Sequence, residues 1–411
     1  MLTIHQADSS RKRTNKKQEI GLAIAGGGPV GAIYELGALR ALDECLGGRK
    51  LHELDVYVGV SAGAFIAASL ANRIPTAELC RIFMADRRAS LRFEPERFLR
   101  PAYREYAKRA IKAPAVFRDT LFDILRKPAD VSISSIIGSL GRLLPSGVFD
   151  NETIHNFLQQ AFTTSGRSNR FEDLDSRLYI VAVDLDSGAA VRFGSQDNRK
   201  IRISRAVQAS AALPGLYPPV QIGKRYFVDG ALRRTLHASA ALDEGVGLLF
   251  GINPLVPFDS GDGGIPGQAA ARKLIQGGLP LILSQTFRAL IQSRMKIGFA
   301  KYRNSHPGAD LVLLEPDRHD EQIFFTNIFS YSSRSALCEH AYQATRRDLR
   351  ARIDEIRPLL ARNGFELNEE LLRDDDRTLA SSLDEDMQSY SRVSRDLATT
   401  LDDLEQSMSQ L

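Results

Sequence analysis

Apolar residues in the first part of the chain come in short solid runs, each closed by a glycine-rich break and followed by residues spaced for a helix. Gly21-Leu22-Ala23-Ile24-Ala25 is the first run; a stretch without polar alternation suits a strand buried on both faces of a parallel sheet. Gly26-Gly27-Gly28-Pro29-Val30-Gly31 breaks it, and Ile33, Leu36, Leu39, Ala41 and Leu42 then fall at helical spacing. The pattern repeats with Asp55-Val56-Tyr57-Val58, then Gly59-Val60-Ser61-Ala62-Gly63, then the small apolar residues 64–71. Further along, Asp150 can cap a helix carrying Ile154, Phe157, Leu158 and Phe162, and residues 178–183 and 190–193 read as paired strands around Asp186-Ser187-Gly188. Residues 246–252 and 309–316 read as later sheet strands, 259–264 as a flexible connection and 280–302 as a helix. This alternation, without an internal repeat, predicts one three-layer α/β/α domain around a mainly parallel central sheet.

From about residue 320 the pattern turns helical. Residues 335–360 predict a charged amphipathic helix, and after Asp374-Asp375-Asp376 the pair Ser382 and Glu385 fits a capping box. Downstream, Leu383, Met387, Tyr390, Leu397, Leu401, Leu404, Met408 and Leu411 step alternately four and three residues apart, with Ser394 filling one slot. Such a seam over residues 383–411 suits self-association, docking of a partner helix, or packing back on its own domain.

The two breaks carry the first chemical signals. A serine between a strand and a helix, with glycines at Gly59 and Gly63 letting the two approach, is the setting of a nucleophile elbow, and Ser61 is the candidate nucleophile. The Gly26 to Gly31 loop meets a helix N-terminus, where unhindered N–H groups stabilise negative charge. An acyl-transfer oxyanion fits there, and so does a phosphate, because Gly26, Gly28 and Gly31 also satisfy the dinucleotide fingerprint. That reading calls for an acid at the end of the second strand. This chain has Ser61 there, and Glu53 and Asp55 precede the strand.

A hydroxyl nucleophile needs a base. None of the seven histidines follows a strand in a glycine-flanked loop: His237 falls in a predicted helix and His319 in a charged run. In Tyr226-Phe227-Val228-Asp229-Gly230-Ala231 an apolar strand ends in an acid followed by glycine, so Asp229 reads either as the base or as a turn-forming aspartate.

Taken together, the glycine loop, the Ser61 elbow and Asp229-Gly230-Ala231 resemble, in order and spacing, the patatin-like phospholipases. The block Ala209-Ser210-Ala211-Ala212-Leu213-Pro214-Gly215-Leu216-Tyr217-Pro218-Pro219-Val220 is similar to the proline-rich segment that family carries before its aspartate. The resemblance spans roughly residues 19–316. It implies a patatin-like fold, Ser61 as nucleophile, Asp229 as base, and an oxyanion hole at Gly26, Gly27 and Gly28, with Gly31, Gly59, Gly63 and Gly230 as motif glycines. It further implies a hydrolase of lipid metabolism and degradation, of phospholipase A or lysophospholipase type, peripheral at membranes. The same residues would serve a transacylase, or persist in a non-catalytic lipid-binding or scaffold protein. Family members commonly carry arginine or lysine where this chain has Val30, which leaves neutral glycerolipids open as substrates. A carboxylate is a weak base in water, but burial beside an apolar pocket raises its pKa.

Composition adds limits. At 411 residues, 43% of them hydrophobic, the chain can bury a large core. Three cysteines, Cys45, Cys80 and Cys338, share no ligand spacing with histidines, so neither a disulfide framework nor a structural metal is expected, and the chemistry calls for no cofactor. Residues 1–18 are polar and basic with no apolar signal-peptide region and are expected to be a disordered tail; no apolar run reaches the roughly 18 residues of a membrane span. A cytoplasmic protein that visits the bilayer from outside is expected. The net charge of +4 is concentrated between Arg81 and Lys127, where basic residues alternate with Phe83, Phe93, Phe98, Tyr103, Tyr106, Phe117 and Phe122. That basic helical insertion, about 81–145, reads either as an interfacial helix or as surface helices over an aromatic core stripe. No motif of nucleic-acid binding accompanies the charge. The predicted organisation is therefore a tail (1–18), a patatin-like catalytic domain (19–316) and a helical extension (320–411).

Overall fold

The computed structural model describes residues 1–7, 18–84, 91, 93–126, 143–164, 166–259, 274–325 and 331–384. Five strands lie parallel at its centre: β2 (Ile20–Ile24), β4 (Val56–Val60), β5 (Arg177–Asp184), β9 (Leu248–Ile252) and β10 (Asp310–Leu314). Four of them, β2, β4, β9 and β10, are buried along their whole length, which is why they read as solid apolar runs. Antiparallel strands flank this block: β1 (Leu2–His5) on β10, and β6 (Ala190–Phe193), β7 (Val220–Ile222) and β8 (Arg225–Asp229) around β5. The nine strands run β1-β10-β9-β2-β4-β5-β8-β7, with β6 also on β5. A separate pair joins β3 (Leu46–Gly47) to β11 (Glu366–Leu367).

The helices are α1 (Gly28–Cys45), α2 (Ala62–Ala71), α3 (Thr76–Phe83), α4 (Tyr103–Arg126), α5 (Glu152–Ala161), α6 (Ile203–Ser210), α7 (Ser239–Leu242), α8 (Gly278–Ser305), α9 (Glu321–Phe325), α10 (Tyr331–Ala351), α11 (Ile353–Arg362) and α12 (Glu369–Arg373). The mainly parallel sheet with helices around it agrees with the predicted class. One apolar cluster extends from the sheet through α1, α2 and α3 to Leu337, Tyr342, Leu349 and Leu360.

That continuity revises the picture of residues after 320 as an appendage. Helix α10 lies directly along α1: a Cβ built on Gly37 would stand 2.3 Å from the carbonyl oxygen of Cys338. Cys45, Cys80 and Cys338 are all buried thiols in this layer. The Glu44 carboxylate is buried with them, and it is met by Arg377 at 3.1 Å and by the hydroxyl of Tyr342. Arg40 reaches the Ser382 hydroxyl at 3.1 Å, and Arg81 donates to the Leu383 carbonyl. A chain cut after Asp376 loses Arg377, Ser382 and Leu383, and with them one buried contact each of Glu44, Arg40 and Arg81.

Four expectations change in detail. Leu2–His5 belong to the sheet instead of the tail, because β10 otherwise has a bare edge and Leu2 is apolar enough to be buried there. The predicted helix over 335–360 is two helices, interrupted at Arg352, whose φ of −118° leaves the helical region. The capping box is formed by Thr378 and Ser381, which exchange side-chain to backbone bonds of 3.0 and 3.1 Å, and Ser382 sits inside the following turn. The aromatic residues of the insertion divide: Phe83, Phe93 and Phe98 join Phe65 and Phe157 in a ring cluster, whereas Tyr103, Phe117 and Phe122 on α4 are exposed. The basic residues 11–17, Arg87, Arg88 and Arg92, and the seam beyond Asp384, lie outside the described residues.

Gly37 offers a direct test of the α1–α10 contact. By helix propensity alone alanine should stabilise by about 0.8–1.0 kcal/mol. Against a backbone carbonyl that cannot rotate away, Gly37→Ala should instead destabilise by about 1–3 kcal/mol, read as a lower urea midpoint at constant slope. A raised midpoint would show the contact to be loose.

Candidate active site

Strand register brings Ser61 and Asp229 together. Val60 pairs with Val181 on β5, and Ala182, the next residue of β5, pairs with Asp229 on β8. Ser61 and Asp229 thus stand at one level on either side of β5, and their side chains close the gap: Ser61 Oγ donates a 2.6 Å hydrogen bond to Asp229 Oδ2. Asp229 Oδ1 accepts the Ala231 N–H at 2.8 Å.

Local sterics explain the residue types. Ser61 has φ 53° and ψ −124°, a conformation a non-glycine residue rarely adopts, at the turn from β4 into α2. The turn is so tight that a Cβ on Gly59 would stand 2.5 Å from Ala64 Cα, and one on Gly63 would stand 2.3 Å from the Ala25 carbonyl oxygen. Gly230 lets the chain fold over β5, since a Cβ there would lie 2.2 Å from the Val181 oxygen. Gly26 packs on Ser61 itself, with its ideal Cβ position 2.9 Å from Ser61 Cβ.

The glycine loop ends β2 and opens α1 with Gly28 at φ +60°. Among the described residues the N–H groups of Gly26, Gly27 and Gly28 donate no hydrogen bond, so the loop presents free donors at a helix N-terminus. Pro254, beyond β9, covers Gly27 and Gly31, where side chains would collide with its ring at 2.4 and 2.9 Å. The dinucleotide reading finds no acid at the end of β4: Asp55 precedes that strand, paired with Arg49 at 2.9 Å and accepting the Ile20 N–H at 2.7 Å.

Two further contributors come from the segment before Asp229. Ser210, at the end of α6, accepts the Ser61 N–H at 2.9 Å and donates to the Val181 carbonyl at 2.5 Å. Two residues on, the Ala212 carbonyl accepts the Asp229 N–H at 3.0 Å. The block 209–220 therefore clamps both members of the pair. Its small residues were visible in the sequence as a motif, but the role of Ser210 depends on a contact across 149 positions.

Burial sets the electrostatics. Asp229 is 2% exposed, and desolvation pushes its pKa up to about 6 against the opposing pull of its hydrogen bonds from Ser61 and Ala231. His237 is not in a helix as its neighbours suggested: it has φ 47° and precedes α7. Its ring is hydrogen-bonded to the Gly230 backbone, burial pushes its pKa down to about 4, and Nε2 has no partner among the described residues. His319 is exposed and held by the Asp259 carbonyl. The described residues contain no group of histidine, cysteine and carboxylate side chains able to hold a metal.

Ser61, Asp229 and Gly26 to Gly28 line a cavity of about 1420 Å³, larger than the few hundred to 1,000 Å³ of common small-molecule pockets. Its wall beside Ser61 includes Phe65, Phe83, Phe93 and Phe98, and α8 contributes Leu283, Phe287 and Ile291. Val30, half-buried, packs on the apolar core.

Among solved structures, VipD of Legionella pneumophila is 16% identical, covering 67% of this chain and 56% of its own, with a TM-score of 0.31. Full-length ExoU of Pseudomonas aeruginosa, solved in complex with SpcU, is 13% identical over 90% of this chain and 67% of its own, with a TM-score of 0.28. The chain thus spans little more than half the length of VipD. The profile of the patatin-like phospholipases matches residues 22–242, over half of the chain and including the glycine loop, Ser61 and Asp229, and the chain belongs to that family.

Proposed function

We propose that the protein is a serine-dependent lipid acyl hydrolase, of phospholipase A or lysophospholipase type, in which Ser61 and Asp229 form a dyad. The observation that carries this reading is the 2.6 Å bond from Ser61 Oγ to a buried carboxylate on the wall of a large apolar cavity. Asp229 takes the hydroxyl proton as Oγ attacks the ester carbonyl. Negative charge then develops on the carbonyl oxygen beside Gly26, Gly27 and Gly28, whose free N–H groups and helix terminus suit an oxyanion; such donors are typically worth about 3–4 kcal/mol each. The proton passes from Asp229 to the leaving alcohol, and the carboxylate next deprotonates the water that releases the acid. Ser210 acts through Ser61, by fixing its backbone.

Ser61→Ala and Asp229→Asn should each lower ester turnover by on the order of 10³-fold or more with circular dichroism unchanged. A fluorophosphonate probe should label the wild type and not Ser61→Ala; equal labelling would place the nucleophile elsewhere.

The pH dependence separates the two candidate bases. A general base works deprotonated, so with Asp229 at about 6 activity is full above that pH and falls as pH drops through it, about tenfold per unit below. A base at His237 would put the limb near 4. The kcat/KM profile should therefore bend near pH 6, and His237→Asn should leave the bend in place.

Lipid access is proposed to occur from the aqueous side of a membrane. No described helix is long and apolar enough to cross one. Ile111, Phe117 and Phe122 on α4 are 79%, 56% and 55% exposed among Lys108, Lys112 and Arg118, a combination that suits an anionic interface. Helix α4 is anchored to the cavity wall through residues 148 and 149, which bond to Gly215 and Leu216. Replacing Ile111, Phe117 and Phe122 with serine should reduce sedimentation with anionic liposomes and vesicle hydrolysis severalfold, yet spare a small soluble ester. Unaltered sedimentation would remove α4 from the interface.

A further inference from the structure

Charge on the cavity wall is one-sided. Arg233, Arg234, Arg288, Arg294, Lys301 and Arg334 line it against two carboxylates, Asp229 and Asp243. Asp229 is bonded to Ser61, and Asp243 is taken by Arg192 and His306. Four of the cations are exposed, but Arg288 and Arg334 are only 8% and 6% exposed. A buried guanidinium is ordinarily matched by a carboxylate, because its desolvation is costly. Neither of these has an ion-pair partner among the described residues. Arg288 makes only long contacts, 3.4 and 3.3 Å, to the carbonyls of Pro254 and Val256, and stacks 4.7 Å from the centre of the Phe324 ring. Burial pushes its pKa down to about 10. Arg334 has Nε and Nη1 with no hydrogen-bond partner among the described residues.

Both approach the end of α1 that carries the glycine loop. Pro254, whose carbonyl Arg288 touches, is the residue packed on Gly27 and Gly31. Helices α1 and α10 run in the same direction, Gly37 facing Cys338 and Glu44 facing Arg346. Arg334, one turn before Cys338, therefore lies toward the N-terminal end of α1. Two planar forks without a counter-ion among the described residues, one of them with unsatisfied donors, in a partly apolar cavity match a tetrahedral phosphate, which accepts bidentate bonds from guanidinium groups.

We propose that Arg288 and Arg334 form an anion subsite that holds the phosphate of a phosphate-bearing acyl ester while its ester group lies at Ser61. The proposal rests on the reading of Ser61 as an acyl-transfer nucleophile, and it selects phospholipid or lysophospholipid over neutral glyceride as the substrate class. Both arginines lie outside residues 22–242, so the subsite is a contribution of the C-terminal half.

The test uses the full chain, a lysophospholipid and a monoacylglycerol of the same acyl length, with glycerol 3-phosphate and inorganic phosphate as soluble probes. Arg288→Gln and Arg334→Gln should each lower the ratio of kcat/KM for the lysophospholipid to that for the monoacylglycerol by about tenfold or more, and Arg334→Lys should recover part of it. Glycerol 3-phosphate should raise the Tm of the wild type with the logarithm of its concentration above Kd, and not that of the double variant. Without ligand, Arg334→Gln should hold or raise Tm, because it removes an uncompensated buried charge; a structural arginine would give a fall. An unchanged substrate ratio, or a lowered Tm with equal losses on both esters, overturns the proposal. Stabilisation by inorganic phosphate with the ratio unchanged would assign the pair to free phosphate instead and overturn the headgroup role. If the wild type cleaves neither ester while glycerol 3-phosphate binding still requires both arginines, the acyl-transfer reading falls and the anion subsite stands.

Discussion

Backbone crowding at the ends of β2, β4 and β8 is the constraint on which the site depends. The entry to α2 runs within contact of the β2 carbonyls, the glycine loop rests on Ser61, and the chain after Asp229 crosses β5. Every one of these approaches excludes a Cβ, and glycine occupies each position. At the focus Ser61 meets the Asp229 carboxylate, and it does so with a positive φ that on its own costs about 1–3 kcal/mol. The surrounding strands hold it there, so the sheet's stability is converted into the placement of one hydroxyl. The same crowding buries Asp229 and so raises its basicity.

The C-terminal helices take part in this arrangement from behind. Helix α10 lies on α1, α1 begins at the glycine loop, and Glu44 at the far end of α1 is tied to Tyr342 and Arg377. A shift of α10 would therefore move the N-terminus from which the free N–H groups project. Helix α8 and Pro254 close the other approaches to the loop. The family profile ends at residue 242, yet this wall of the cavity is built after it.

Much of the fold and the centre of the site can be read in the sequence because both are written locally. A solid apolar run followed by glycine marks a buried strand end, and Ser61 and Asp229 sit in such contexts. What local pattern does not hold is whatever depends on contact between distant segments. Ser210 looks like one more small residue until its contacts to Ser61 and Val181 are seen. His237 lies among alanines that suggest a helix, but the chain must turn at φ 47° to pass beneath Gly230. Leu2–His5 have too little apolar character to announce a strand, and the edge of β10 supplies the reason for one. Arg288 and Arg334 resemble any helical surface arginine, and only burial without a counter-ion sets them apart.

The three thiols add a means of timing. Cys45, Cys80 and Cys338 are sealed in the layer joining α1, α3 and α10, and a hydrogen bond with the Cys80 thiol, together with burial, raises the pKa of Cys338 well above normal. Alkylating reagents attack the exposed thiolate, so these residues are inert until the layer parts. Their modification rate is then a clock for the opening of that seam. A bound molecule that tightens the glycine-loop end of α1 would slow the clock at the distance of several helical turns, without touching a cysteine.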